Sequence, residues 1–232
     1  MGLFQRPVIL AWLVHLYTAS GAVLALFSLL LIEQANYQSA FWLMYLAVAI
    51  DASDGTLARR ARVKELIPWF DGARLEDIID YLNYVLVPSF FLIRADLLPQ
   101  NDALWLAAAP MLASAYGFCQ KEAKTSDHFF LGFPSYWNIV AFYLFVMQTP
   151  RWINGFLILA LSALVFVPIK YLYPSRSPVF QGLTVSLASI WGAMLLAIIY
   201  QLPEPHALLI YGSLIFPAYY LTLSLWLAAR RR

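Results

Sequence analysis

The chain reads as a succession of long apolar runs separated by short polar stretches. Eight runs stand out, over residues 7–32, 39–58, 75–93, 103–120, 134–149, 152–173, 179–202 and 206–229. About 20 helical residues cross a hydrocarbon layer of roughly 30 Å, and each run approaches that length. Helices are expected throughout, because lipid offers backbone amides no partners and barrel strands would be only about 9–11 residues long. The pattern therefore predicts an all-α, polytopic membrane helical bundle of about eight transmembrane helices. Pro110, Pro168 and Pro217 are expected to kink theirs. The first run continues to Leu31, past the small residues between Thr18 and Ala22. It is longer than a signal-peptide core of roughly 7–15 residues and is read as a retained helix. No repeat, heptad array or low-complexity linker divides the chain, so residues 1–232 are read as one integral membrane domain.

Composition agrees with a bilayer as solvent. Hydrophobic residues make up 62% and charged residues 12% of the chain, against about a quarter charged in soluble domains. Too few polar side chains exist to cover a water-facing globule of this size. The net charge of +2 gives no reason to expect nucleic acid, and the lone Cys119 excludes an intramolecular disulfide and a cysteine metal site. The basic residues are ordered along the chain. Thirteen of the 15 fall on one side of the predicted bundle: Arg6, Arg59, Arg60, Arg62, Lys64, Arg74, Lys121, Lys124, Lys170, Arg176 and Arg230 through Arg232. Only Arg94 and Arg151 fall on the other. The positive-inside rule then places both termini and the basic loops in the cytoplasm. Between Arg60 and Phe70, basic residues mix with Val63, Leu66, Ile67, Trp69 and Phe70, as in an interfacial helix or a solvated loop.

Seven of the 13 acidic residues fall within thirty positions: Asp51, Asp54, Glu65, Asp71, Glu76, Asp77 and Asp80. A carboxylate within a spanning helix costs at least about 2.5–3.5 kcal/mol, so such groups face a cavity or a partner. At 100° per residue, Asp51, Asp54, Gly55, Ala58 and Arg59 share one face at the cytoplasmic end of the second span. Gly72, Glu76 and Asp80 share another at the start of the third. Two antiparallel helices would bring four carboxylates together, and a hard divalent cation would relieve their repulsion. Gly55, Gly72 and Ala58 would let a bulky ligand approach the backbone, and Arg59 could hold two phosphate oxygens. Two other readings of the cluster are ion pairing with the neighbouring arginines and lysines, and a carboxylate-based proton or cation transporter.

The residues Asp51-Ala-Ser-Asp54-Gly55-Thr-Leu-Ala58-Arg59, followed by Gly72-Ala-Arg-Leu-Glu76-Asp-Ile-Ile-Asp80, resemble the motif of the CDP-alcohol phosphotransferase family. Seven of its eight fixed positions match; Glu76 stands where the family has Asp, and Asp77 is the alternative third carboxylate. Twelve residues separate Arg59 from Gly72, four more than the family's usual eight. That spacing is similar to the bacterial phosphatidylcholine synthase branch. So are the segments Val14-His15-Leu-Tyr17-Thr18-Ala19-Ser20-Gly21, Val63-Lys64-Glu65, Asp127 through Asn138 and Val167-Pro168-Ile-Lys170-Tyr171.

The resemblance implies transfer of a phosphatidyl group from CDP-diacylglycerol to choline with release of CMP. It implies Mn²⁺ or Mg²⁺ on Asp51, Asp54, Glu76 and Asp80, with Asp80 as the base, and Gly55 and Ala58 lining the cytidine pocket. A homodimer in the bacterial cytoplasmic membrane, with its active site facing the cytoplasm, follows from the same likeness. Choline is a quaternary ammonium and calls for aromatic faces; Tyr81, Tyr84, Tyr136 and Trp137 are the candidates. Lys170 and Arg176 are candidates for the lipid phosphate, and His15 and His128 for lesser roles. The acidic motif reads the CDP moiety and not the alcohol, so serine, inositol and glycerol phosphate remain alternative acceptors.

Overall fold

The computed structural model describes residues 6–123, 125, 129–173 and 179–230, the last without its side chain. Lys124, Asp127, His128, Arg176, Arg231 and Arg232 lie outside the described residues. The order is α1 (Arg6–Glu33), α2 (Tyr37–Arg60), α3 (Val63–Leu66), α4 (Gly72–Asp80), a π-helical turn (Tyr81–Leu86), α5 (Val87–Arg94) and α6 (Ala103–Cys119). Then follow β1 (Phe129–Leu131), α7 (Trp137–Val146), α8 (Arg151–Val165), β2 (Lys170–Leu172), α9 (Gln181–Gln201), α10 (Ala207–Ser213) and α11 (Ile215–Arg230). Among the described residues, Arg6–Glu33, Gln181–Gln201 and Ala207–Ala229 are long and apolar enough to cross a membrane. Ala103–Cys119, Trp137–Val146 and Arg151–Val165 are shorter apolar helices. The outward side of α1 exposes Leu13, Leu16, Val23, Leu26 and Leu30, a surface suited to lipid and not to water. The molecule is a nearly all-helical membrane protein.

Prolines account for most departures from the expected spans. Pro88 has no N–H for the carbonyl of Tyr84, and just before it the N–H of Val87 bonds to Leu82 O, one residue wider than an α-helical bond. The π turn that results joins α4 to α5 without a break. Its Asn83 side chain donates to Ile79 O and to Gly21 O, both at 3.0 Å, so the widened turn is tied to α1. Pro217 cannot donate to Ser213 O, and the last apolar run divides at Leu214 into α10 and α11. Pro168 does not kink a helix over 152–173. Instead α8 ends at Val165, and the chain returns as β2, antiparallel to β1 with Phe129 opposite Leu172 and Leu131 opposite Lys170. This two-stranded ribbon is a correction to the all-helical expectation. The run 134–149 contracts to ten helical residues, a length of about 15 Å. Seven of these residues are buried, so α7 is a core helix.

The main core is aromatic. Phe41 of α2 packs on Phe91 of α5 at 4.8 Å and on Phe142 of α7 at 5.1 Å between ring centroids. Near this end Tyr37 donates to Arg94 O, Arg94 pairs with Glu33, and Arg151 pairs with Asp96. The two basic residues expected on the extracytoplasmic side thus share one end of the bundle. A second cluster unites the ribbon with α11 through Phe129, Tyr171, Leu172, Tyr220, Leu223 and Leu227. Tyr220 Oη donates to Leu172 O, and Leu172 N donates to Ser224 Oγ, both at 3.0 Å.

Gly132 joins the ribbon to the segment leading into α7. Its φ is +83°, and an added Cβ would stand 2.3 Å from Val165 O. Gly132→Ala is expected to cost about 1–3 kcal/mol in strain. Gly182→Ala, where nothing lies within 4 Å, should cost nothing. Thermal unfolding of both variants in detergent checks the difference.

Candidate active site

Two helical segments bring the acidic residues together. Asp51 and Asp54 lie one turn apart in the closing part of α2. Asp71 caps α4 by accepting the Arg74 N–H at 3.0 Å, and the helix so begun presents Glu76 and Asp80 at i and i+4. One carboxylate oxygen each from Asp51, Glu76 and Asp80 lies within 4.8 Å of the other two, and all three residues are half-buried. At an effective dielectric of about 20, each pair of unit charges so placed repels by about 3 kcal/mol. Three carboxylates and no nitrogen or sulfur donor fit a hard divalent cation. Glu76 belongs to this group, and Asp77 does not.

Asp54 stands outside the group of oxygens within 4.8 Å of one another but lines a cavity with Asp51 and Asp80. It is 6% exposed and accepts a hydrogen bond from Thr18 Oγ1 of α1 at 2.8 Å. Asp51 likewise accepts from Tyr84 Oη at 2.7 Å. A cavity of about 10 Å³, near the volume one water needs, lies among Thr18, Gly21, Asp51, Asp54, Asp80 and Tyr84. The surrounding arginines pair locally: Arg62 with Glu65, and Arg74 with Asp71 at 3.9 Å.

The other expected residues divide. Tyr84 is on the carboxylates, and Tyr136, at the N-terminal edge of α7, stands within electrostatic range of Asp51 and Asp80. Trp137 does not join them; it is 1% exposed, with its indole N–H on Ser114 Oγ at 2.8 Å. Tyr81 turns to α6 and donates to Met111 O. Gly55 is open, since a Cβ added there would meet only Arg59 Nη1, at 3.5 Å, and Arg59 is exposed beside Thr56. Ala58 packs against the apolar cluster that holds Ala11, Val14 and Ile67. Gly72 makes room for His15 and not for a ligand, since a Cβ there would meet His15 Cε1 at 2.7 Å. Lys170 sits on the ribbon, 5.8 Å above the Phe129 ring; Arg176 lies outside the described residues. Sequence reasoning missed Tyr220, whose ring meets that of Tyr136 at 6.1 Å and 65°. No spacing signals a contact between residues this far apart in the chain. It also missed the role of Thr18, although the segment containing it carried the likeness.

No family model matches the chain. It is 43% identical to the phosphatidylcholine synthase of Legionella pneumophila over 223 residues, which cover 93% of this chain and 88% of that protein. It is 37% identical to the phosphatidylcholine synthase of Pseudomonas aeruginosa over 220 residues, covering 95% and 92%. The phosphatidylcholine synthase of Borreliella burgdorferi is 36% identical over 183 residues, covering 79% and 78%.

Glu76 and Asp77 are adjacent and equally acidic, so they test the geometry of the site. Glu76→Gln is expected to weaken Mn²⁺ binding by more than about 100-fold, beyond the loss of a group that only orients a ligand, and Asp77→Asn to leave it unchanged. Calorimetric titration of the purified chain with Mn²⁺ reads both.

Proposed function

The chain belongs to the phosphatidylcholine synthase family, and we propose that it transfers the phosphatidyl group of CDP-diacylglycerol to choline at the site built by Asp51, Glu76 and Asp80. The observation that carries this reading is the convergence of three carboxylates from two helices at one end of an apolar bundle. A diphosphate-linked lipid delivers its reacting phosphorus at the level of such a helix end, with its acyl chains in the bilayer. Both termini and this end of the bundle face the cytoplasm, as the distribution of basic residues supports. The whole chain acts as one membrane domain, in a homodimer within the bacterial cytoplasmic membrane, as the family likeness implies.

Asp51, Asp54, Glu76 and Asp80 would hold Mn²⁺ or Mg²⁺ around the cavity that three of them line. When bound, the cation offsets the negative charge of the diphosphate and of the departing CMP. Asp80 accepts the proton of the choline hydroxyl as its oxygen attacks the phosphorus that carries the diacylglycerol ester. The new P–O bond forms as the bond to CMP breaks, and the proton remains on Asp80 until solvent removes it. Arg59 and the open backbone at Gly55 receive the nucleotide side, and Lys170 and Arg176 the lipid phosphate. Tyr84, Tyr136 and Tyr220 form adjacent aromatic walls for the trimethylammonium group, which has no N–H to donate.

CMP release by the purified chain with CDP-diacylglycerol and Mn²⁺ or Mg²⁺ is the test. Release that depends on choline and on the metal supports the reading. Release with serine, inositol or glycerol phosphate in place of choline overturns the acceptor, and no release with any alcohol overturns the enzyme. Asp80→Asn is expected to abolish release while retaining bound CDP-diacylglycerol. Tyr136→Leu is expected to raise the KM for choline by about 10- to 30-fold, the worth of a desolvated cation–π contact, with the KM for CDP-diacylglycerol unchanged.

A further inference from the structure

The segment Val14 to Gly21 of α1 takes no part in the proposed reaction, yet its side chains meet the acidic segments one after another. Val14 packs with Ala61, Val63 and Ile67 beyond the end of α2. His15 fills the space beside Gly72 at the start of α4. Tyr17 Oη and Ser53 Oγ share a hydrogen bond of 2.9 Å. Gly21 leaves room for Ile79, whose Cγ2 would stand 2.5 Å from an added Cβ, and its carbonyl accepts the Asn83 amide. Among these contacts one reaches a carboxylate of the motif: Thr18 Oγ1 donates to Asp54 Oδ2 at 2.8 Å. Thr18 is 7% and Asp54 6% exposed.

We propose that Thr18 is a positioning residue for Asp54, and that its hydroxyl sets the affinity of the acidic site for a divalent cation. This rests on the cation reading of the site under the proposed function. The Thr18 hydroxyl has one proton and two acceptors near it, Val14 O at 3.4 Å and Asp54 Oδ2 at 2.8 Å. The shorter bond goes to the carboxyl oxygen of Asp54. Fixing Oδ2 on α1 fixes the rotation of the whole carboxylate, which lines the same small cavity as Asp51 and Asp80. Without that donor, Asp54 keeps its place on α2 but loses the bond that ties its Oδ2 to α1. Groups that orient a ligand in this way are worth about 10- to 100-fold in metal affinity.

Thr18→Val keeps the shape of the side chain and removes the donor, whereas Thr18→Ser keeps the donor. The test is Mn²⁺ titration of the purified full chain in detergent, by calorimetry or by the resonance signal of free Mn²⁺, beside thermal unfolding without metal. Tyr17→Phe serves as a control that removes the neighbouring α1–α2 hydrogen bond and touches no carboxylate. Thr18→Val is expected to bind Mn²⁺ about 10- to 100-fold more weakly, with Thr18→Ser and Tyr17→Phe close to the parent. In turnover its requirement for Mn²⁺ should rise, with kcat recovering at saturating metal. Parent-like binding by Thr18→Val would make Thr18 a packing residue only and overturn the proposal. Equal weakening in Thr18→Val and Tyr17→Phe would trace the effect to loosened helices and overturn it too. A parent chain that binds no Mn²⁺ would remove the cation reading itself, and the proposal with it.

Discussion

Asp51, Glu76 and Asp80 hold carboxylate oxygens within 4.8 Å of one another at the end of an apolar bundle, where charges are screened less than in water. Left to themselves the helices that carry them would splay. The aromatic packing of Phe41 on α2 against Phe91 on α5 and Phe142 on α7 opposes this, Phe41 lying ten residues, or about 15 Å, before Asp51 on α2. A helix anchored there can present its last turns in a conformation that those turns would not choose. The cluster is therefore a cost borne by the rest of the fold, and a bound cation is the natural means of recovering it.

Hydrogen bonds refine what packing holds. Tyr84 donates to Asp51, Thr18 to Asp54, and the Asn83 amide ties the third helical stretch to the backbone of α1 at Gly21. Two of these donors sit in the π turn, and the turn exists because Pro88 withholds an N–H from the helix. A proline usually weakens a helix. Here the widened turn gives Ile79 O a side-chain partner in Asn83 and carries Tyr84 to Asp51. Wide turns of this kind recur at functional sites.

The acidic site was legible because its chemistry is local: Asp51 and Asp54, then Glu76 and Asp80, sit at spacings that any helix turns into shared faces. Periodicity could not choose between Glu76 and Asp77, since neighbours differ by about 100° and only the partner helix decides which points inward. Nor could it show that Asp54 turns toward Thr18, or that Gly72 accommodates His15. The broad bundle was legible from apolar run length, but run length carries no account of lost donors. Pro168 and Pro217 therefore ended or divided helices that hydropathy read as continuous, and α7 contracted to a buried core helix. The ribbon was illegible for a related reason, because each strand has three residues and gains its stability from the other and from α11.

The aromatic walls of the proposed site draw on more than one part of the chain, since Tyr84 belongs to the stretch that carries the carboxylates and Tyr136 and Tyr220 do not. Asp51 through Asp80 form a continuous stretch whose geometry depends on α1, α2 and α4. Tyr136 follows the ribbon strand β1, and Tyr220 is fixed to β2 by its hydrogen bond to Leu172 O. A change in the ribbon or in α11 would alter the aromatic walls and leave the carboxylates where they are. On the proposed reading, part of the acceptor's surroundings thus comes from elements more than fifty residues along the chain from the acidic motif. On that reading the ribbon fixes Tyr220, and through it Tyr136, at the alcohol side of a site that α2 and α4 build.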